Sequence, residues 1–307
     1  MIFRLLTLFT AASLTAVAAD PAPVAQTAPA ATGPLALKDG DTVVLLGDAF
    51  LERDYNYGHL ETALTAAAGK NLRIRNLGWS GDTPRCESRS YFGPPAEGMD
   101  RLRKQLNEIK PTIVIACYGA VDAFKGETGV KDFIASYERL LELIQKSCGA
   151  SVILMSPPAV SADTKKWPSL EGQAAKLALY RDAIRTLAGA HELRFADLLG
   201  AMKDVKLTTV NGVSLTETDY RETAPALVKS LGLPLDSAAA SAAQNNPGLT
   251  KAIIEKNRLF FYRWRPQNET YLFGFRKHEQ GNNGVEIPKF DPLIAAQEQV
   301  IAGLLKK

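Results

Sequence analysis

Thr112-Ile-Val-Ile-Ala-Cys-Tyr118 is the most apolar strand-like run in the sequence. Its shortness and its β-branched residues suit a strand buried on both faces, at the centre of a sheet. Working outward, the same signature recurs in Asp41 to Leu46 (DTVVLL), Leu72 to Asn76, Ser151 to Met155 (SVILM) and Leu193 to Asp197. Between these runs lie stretches with apolar residues at helical spacing: Tyr57 to Ala68, Glu97 to Ile109, Val130 to Gln145 and Glu171 to Ala188. Five strands separated by helices imply right-handed crossovers and a parallel five-stranded sheet covered on both faces. Ligands of such sheets sit at the carboxyl ends of the strands, where the strand order reverses. Function is therefore expected in the segments that follow the strands: GDAFLERD, NLGWSGDTP, YGAVDAFKG and SPP.

The rest of the composition narrows the class without naming a function. The chain has 307 residues, 46% hydrophobic and 22% charged, with a net charge of +3. Such a balance excludes overall disorder, and it is too weak to imply nucleic acid or an anionic membrane as a partner. Arg4 followed by the uncharged run Leu5 to Ala18 and small residues at Ala16 to Ala19 reads as a secretory signal peptide over residues 1–19. That run is too short to span a bilayer, so no stable membrane span is expected in the mature chain, which would be periplasmic or extracellular. Asp20 to Pro34 is Pro/Ala-rich and reads as a linker, so folding should begin near Leu35. Three cysteines, Cys86, Cys117 and Cys148, leave at least one thiol free; Cys117 suits the core, and a Cys86–Cys148 pair is open. No Cys/His spacing suggests zinc, and no metal or cofactor is implied.

Three of the post-strand segments, and one later segment, resemble known blocks in their order and spacing. Gly47-Asp48-Ala49, Asn76 to Thr83, Tyr118 to Asp122 and Asn211-Gly-Val-Ser214 are similar to those of the SGNH/GDSL hydrolase superfamily over roughly residues 40 to 230. The segment KNRLFFYRWRPQNE further resembles the C-terminal part of exported SGNH-type domains of planctomycete-like bacteria. The resemblance implies a flavodoxin-like three-layer α/β/α sandwich over residues 35–232. A spacer and a helical C-terminal extension, residues 233–307, would pack on it. It also implies an esterase mechanism: a Ser after Gly-Asp attacks the carbonyl, an Asp-x-x-His pair activates it, and a Gly N–H and an Asn side chain hold the oxyanion. In this sequence those positions read Ala49, Asn211 and Ser214, and Val121 in place of the Asn; Gly81 is retained. Loss of the nucleophile and base together removes about a millionfold in rate. The expectation is an exported acylhydrolase homologue with a degenerate triad, binding a small-molecule or polysaccharide ester-type ligand.

Alternatives rest on other residues of the same loops. Asp48, Asp82 and Asp122 all follow strand ends; converging in one cleft they would permit acid/base work, whereas singly they shape turns. Ser80, in Gly78-Trp79-Ser80-Gly81, is a near-miss to the GxSxG elbow and a candidate relocated nucleophile. Of the three histidines, His59 suits a core or surface helix, His191 suits solvent, and His278 lies in the aromatic/basic tail. Residues 256–278 hold seven of the 24 aromatics and six Lys/Arg against one acid. Packing of Ile253, Ile254, Leu259 and Phe260 would explain this segment structurally. As a binding surface, Arg263, Arg265, Asn268 and His278 would receive a carboxylate, phosphate or sugar. A third reading makes the segment a docking site for another protein.

Overall fold

The computed structural model describes residues 35–91, 93–161, 169–233 and 246–305. The stretches read above as a signal peptide and a linker, residues 1–34, and most of the Ser237–Asn246 stretch lie outside the described residues. The five strands form where their apolar runs are: β1 (Thr42–Gly47), β2 (Arg73–Asn76), β3 (Ile113–Cys117), β4 (Ser151–Met155) and β5 (Arg194–Ala196). All are parallel, in the order β2-β1-β3-β4-β5. Every residue of β1 and β3 is buried, which is why these two runs carry no polar alternation. Chain order reverses between β1 and β3, so the crevice opens beside the ends of those strands.

Strand alternation sends Val43, Leu45 and Ile115 to one face, and Val44, Leu46 and Val114 to the other. The first face is covered by α1 (Ala49–Arg53), α2 (His59–Ala68), α6 (Leu198–Ala201) and α7 (Glu217–Ser230). The second is covered by α3 (Ala96–Ile109), α4 (Val130–Cys148) and α5 (Gln173–Ala190). The result is a three-layer α/β/α sandwich. All three cysteines are free: Cys86 and Cys117 are buried in the core, and Cys148 is half-buried, so Cys86 and Cys148 do not pair.

The C-terminal region is helical and docks on the β2 edge. Asn246 caps the helix Pro247–Trp264 by accepting the Leu249 N–H at 3.0 Å. This helix packs against the terminal helix Phe290–Leu305, α2 and β2. Leu249, Ile253, Leu259, Phe260, Ile294 and Ile301 are buried there, each contributing about 1.5–3 kcal/mol. Polar contacts fix the register. Lys256 Nζ, fully buried, donates to Ile74 O at 2.9 Å and pairs with Glu61 at 2.6 Å. Asn257 Nδ2 donates to the other Glu61 oxygen at 2.9 Å. Arg75 with Glu298, and Arg101 with Glu269 at 2.5 Å, add further links. Among the described residues no helix is long and apolar enough to cross a membrane.

Candidate functional site

The loops after β1, β2 and β3 gather at the crevice, each anchored by a buried aspartate. Asp48 caps α1, accepting the Phe50 N–H at 3.1 Å, while its second oxygen has no partner. Burial pushes its carboxyl up to about 7; the Phe50 N–H opposes this and the charges of Asp82 and Asp122 add to it. Asp48 thus lies within electrostatic reach of both other carboxylates. Ala49 follows as the first residue of α1, half-buried, and brings a methyl group to the position.

The second loop lies directly on α1. A side chain at Gly78 would collide with the Glu52 backbone nitrogen, so only glycine permits this approach. Asn76 ties the two together: Nδ2 donates to Leu51 O at 2.6 Å, and Oδ1 accepts the Gly78 N–H at 2.9 Å. Ser80 is exposed, and both its N–H (2.9 Å) and its hydroxyl donate to Glu52. Glu52 in turn pairs with Arg265, whose guanidinium lies 3.7 Å from the Trp79 ring centroid and 4.7 Å from that of Phe261. Gly81 is exposed with φ +73°, a left-handed conformation that suits glycine.

Asp82 sits beneath this loop in a fully buried pair. One oxygen accepts Arg89 Nε at 2.8 Å and the Tyr118 hydroxyl at 2.9 Å. Arg89 Nη2 also donates to Leu77 O at 2.8 Å, tying the pair to the end of β2. Burial raises the Asp82 carboxyl pKa, and the adjacent Arg89 charge opposes the rise. Asp122 is likewise buried and accepts Arg85 Nη2 at 2.8 Å; Arg85 also pairs with Glu87 at 2.6 Å. Val121 beside it is 38% exposed and directs an apolar side chain where the family pattern implies a donor.

Asn211 and Ser214 form a tight turn before α7. Asn211 Oδ1 accepts the N–H groups of Val213 (3.1 Å) and Ser214 (2.7 Å), and the Val210 N–H donates to Ser214 O at 2.8 Å. Asp219 then closes a capping box with Thr216. Burial alone would raise its carboxyl pKa, but the N–H groups of Thr208, Thr216 and Thr209 carry it below the usual range.

The histidines all face carboxylates outside the post-strand loops. His59 Nε2 is 3.5 Å from Glu217 and its pKa is lowered by burial; His191 Nε2 is 2.9 Å from Glu138; His278, 75% exposed, is 3.7 Å from Glu279. The tail residues are placed as follows. Arg263 pairs with Glu108 and with Asp291 at 3.0 Å, Arg265 pairs with Glu52, and Asn268 Nδ2 donates to Gln280 at 2.8 Å. Three of the six cations in residues 256–278, Lys256, Arg263 and Arg265, are thus paired with acids from distant parts of the chain, while Arg258 and Arg276 pair locally with Glu255 and Glu279. Among the described residues no cluster of three His, Cys, Asp or Glu groups has the form of a metal site.

The structure thus brings Asp48, Ser80, Gly81, Asp82 and Asp122 to one end of the sheet, with Arg265 reaching the second loop. Sequence reasoning passed over Glu52, Arg85, Arg89 and the Tyr118 hydroxyl. One signal was available: Glu52 lies four residues after Asp48, one turn along the short helix that Asp48 caps.

A sequence model of the GDSL-like Lipase/Acylhydrolase family matches residues 15–216, the greater part of the chain. No curated protein matches. Similar solved structures include a catalytic mutant of the acetylxylan esterase Axe2 from Geobacillus stearothermophilus, 16% identical with a TM-score of 0.49, covering 65% of this chain and 98% of that one. The aryl esterase of M. smegmatis is 17% identical with a TM-score of 0.48, covering 62% and 98%. A lipase/acylhydrolase from Enterococcus faecalis is 22% identical with a TM-score of 0.46, covering 62% and 95%. On the family match, the chain belongs to the GDSL-like lipase/acylhydrolase family.

Proposed function

We propose that the chain is an exported, non-hydrolytic member of its family, which binds an ester-type small molecule or polysaccharide at the carboxyl end of the sheet. The observation that carries this reading is the chemistry of the family positions. Ala49 opens α1 with no hydroxyl, and Asn211 spends its side-chain oxygen on two backbone N–H groups of its own turn. Ser214 in that turn has no imidazole to accept a proton, and Val121 offers no donor to an oxyanion. What remains is recognition chemistry: the exposed Gly81 loop and the Arg85–Asp122 pair.

A second reading, an active hydrolase with a relocated catalytic set, draws on Ser80, whose exposed hydroxyl donates to Glu52. Against it, all three histidines face carboxylates away from this loop, so none is placed to take the Ser80 proton. Hydrolysis of short acyl and acetyl-sugar esters should be measured for the wild type, for Ser80→Ala, and for the quadruple variant Ala49→Ser, Val121→Asn, Asn211→Asp, Ser214→His. The expected result is activity only in the quadruple variant. Wild-type turnover abolished by Ser80→Ala overturns the proposal in favour of the second reading.

A further inference from the structure

An open groove of about 830 Å³ runs between α3 and residues 269–275 of the C-terminal region. Its volume lies in the range of roughly 300–1,000 Å³ that ligand sites occupy. Glu97, Asp100, Arg101, Lys104 and Glu108 form one wall, on the stripe of α3 that steps of three and four residues place on one face. From Glu97 to Glu108 that wall is about 16 Å long at the rise of an α-helix. Tyr91, Phe273 and Phe275 line the same groove, and all three are exposed, from 44% at Tyr91 to 74% at Phe275.

Exposed rings rimmed by polar groups mark a place where something binds. Two of these rings are already held. The Tyr91 ring meets that of Trp79 edge-on, with centroids 6.0 Å apart, and the Arg101 guanidinium lies 4.6 Å from the Tyr91 centroid. Phe273 lies against the backbone at Gly284, where a Cβ would come within 2.9 Å of the ring. An aromatic surface fixed beforehand costs little to order when a ligand arrives. The charges are committed as well. Glu97 and Glu269 face Arg101 at 4.0 and 2.5 Å, Asp100 pairs with Arg103 at 2.6 Å, and Glu108 pairs with Arg263. A cationic ligand would have to displace one of these partners, and four lining acids against two lining cations oppose an anion. A protein partner is disfavoured too: six of the fourteen described lining residues are charged, whereas the centre of a protein interface is depleted of charge. The chemistry that fits is a neutral ligand, with apolar faces for the rings and hydroxyls for the carboxylate oxygens and the Arg and Lys N–H groups.

We infer that this groove binds a neutral polysaccharide chain, with its sugar rings against Tyr91, Phe273 and Phe275 and its hydroxyls bonded to the charged side chains of α3. The length of the α3 wall suits a chain rather than a single sugar. Tyr91 sets one end of the groove against Trp79, the neighbour of Ser80 and Gly81, so the bound chain runs towards the site proposed above. The groove shares no residue with that site, and binding here stands or falls separately from the reading of Ala49 and its neighbours.

Calorimetric titration of the wild-type protein with xylohexaose, cellohexaose and mannohexaose tests this, with hexagalacturonate as the anionic control. At least one neutral hexamer is expected to bind more tightly than hexagalacturonate, and Tyr91→Ala and Phe273→Ala each to weaken it about five- to tenfold. Amide hydrogen exchange of the wild-type complex should slow over residues 96–109 and 269–275; should a variant fail to fold, this footprint decides. Binding of none of the neutral hexamers, tighter binding of hexagalacturonate, an affinity that both variants leave unchanged, or protection confined to other segments would each overturn the inference. So would a wild-type dimer in sedimentation that Phe275→Ala dissociates, which would make the rings an interface between copies of the chain.

Discussion

Replacing Lys256 with alanine tests whether the C-terminal helix is an integral part of the fold. The Lys256 ammonium and the Glu61 carboxylate are 2% and 4% exposed and lie 2.6 Å apart. Removing the lysine strands a buried carboxylate with only Asn257 as partner and also frees Ile74 O, which Lys256 satisfied at 2.9 Å. Breaking a buried pair from one side costs about 3–5 kcal/mol. That is a large share of a total stability of about 5–15 kcal/mol. With a urea m-value of about 3 kcal/mol/M, a cost of about 4 kcal/mol moves the unfolding midpoint down by about 1.3 M. The double variant Lys256→Met, Glu61→Gln removes both charges while keeping volume, and should recover most of the loss, because desolvating two ions is itself costly. Equilibrium urea unfolding, followed by tryptophan fluorescence and circular dichroism, measures both shifts. A midpoint for Lys256→Ala within about 0.2 M of wild type would refute the reasoning, since the pair would then not be buried. Equal losses in the single and double variants would show that packing, not the stranded charge, dominates.

Two further outcomes follow from the loops. Asp48 is protonated in the fold up to about pH 7 but ionises near 3.8 when unfolded, so the native state holds a proton that the unfolded state releases. Its contribution to stability is full below the unfolded value and is lost as pH rises towards 7, a difference of about 4 kcal/mol in the limiting case. Urea midpoints between pH 4 and 7.5 should therefore fall less steeply in Asp48→Asn than in wild type; parallel slopes would contradict the assignment. Arg265→Ala removes the cation that lies between Trp79 and Phe261 and holds Glu52. Amide hydrogen exchange over residues 78–81 should quicken, with a stability loss of about 1–2 kcal/mol. Unchanged exchange there would show that Glu52 positions Ser80 without help from the C-terminal region.

Much of the fold was legible because burial on both faces leaves a local signature. The runs TVVLL and TIVIACY lack polar alternation, and both lie in the sheet interior. The helix over Tyr57 to Ala68 starts two residues later, at His59: Asp54 takes the N–H groups of Leu60 and Glu61 and so marks the first turn. Val130 to Gln145 extends to Cys148 because Gly149, in a left-handed conformation, ends the helix. The aspartates at the strand ends were legible as loop residues, yet their partners were not. Arg89 looks like any surface arginine in sequence, and only the return of Tyr118 from β3 and Leu77 from β2 encloses it.

The chain by itself determined the parallel sandwich and the end of the sheet at which its post-strand loops gather. These are properties of residue type and local pattern, readable one segment at a time. Only the tertiary structure decided what the basic C-terminal segment does. Lys256, Arg263 and Arg265 meet Glu61, Glu108, Asp291 and Glu52, acids 28 to 213 residues away, and such pairings leave no mark in local composition. A cluster of cations reads as a surface until the fold supplies the carboxylates that neutralise it.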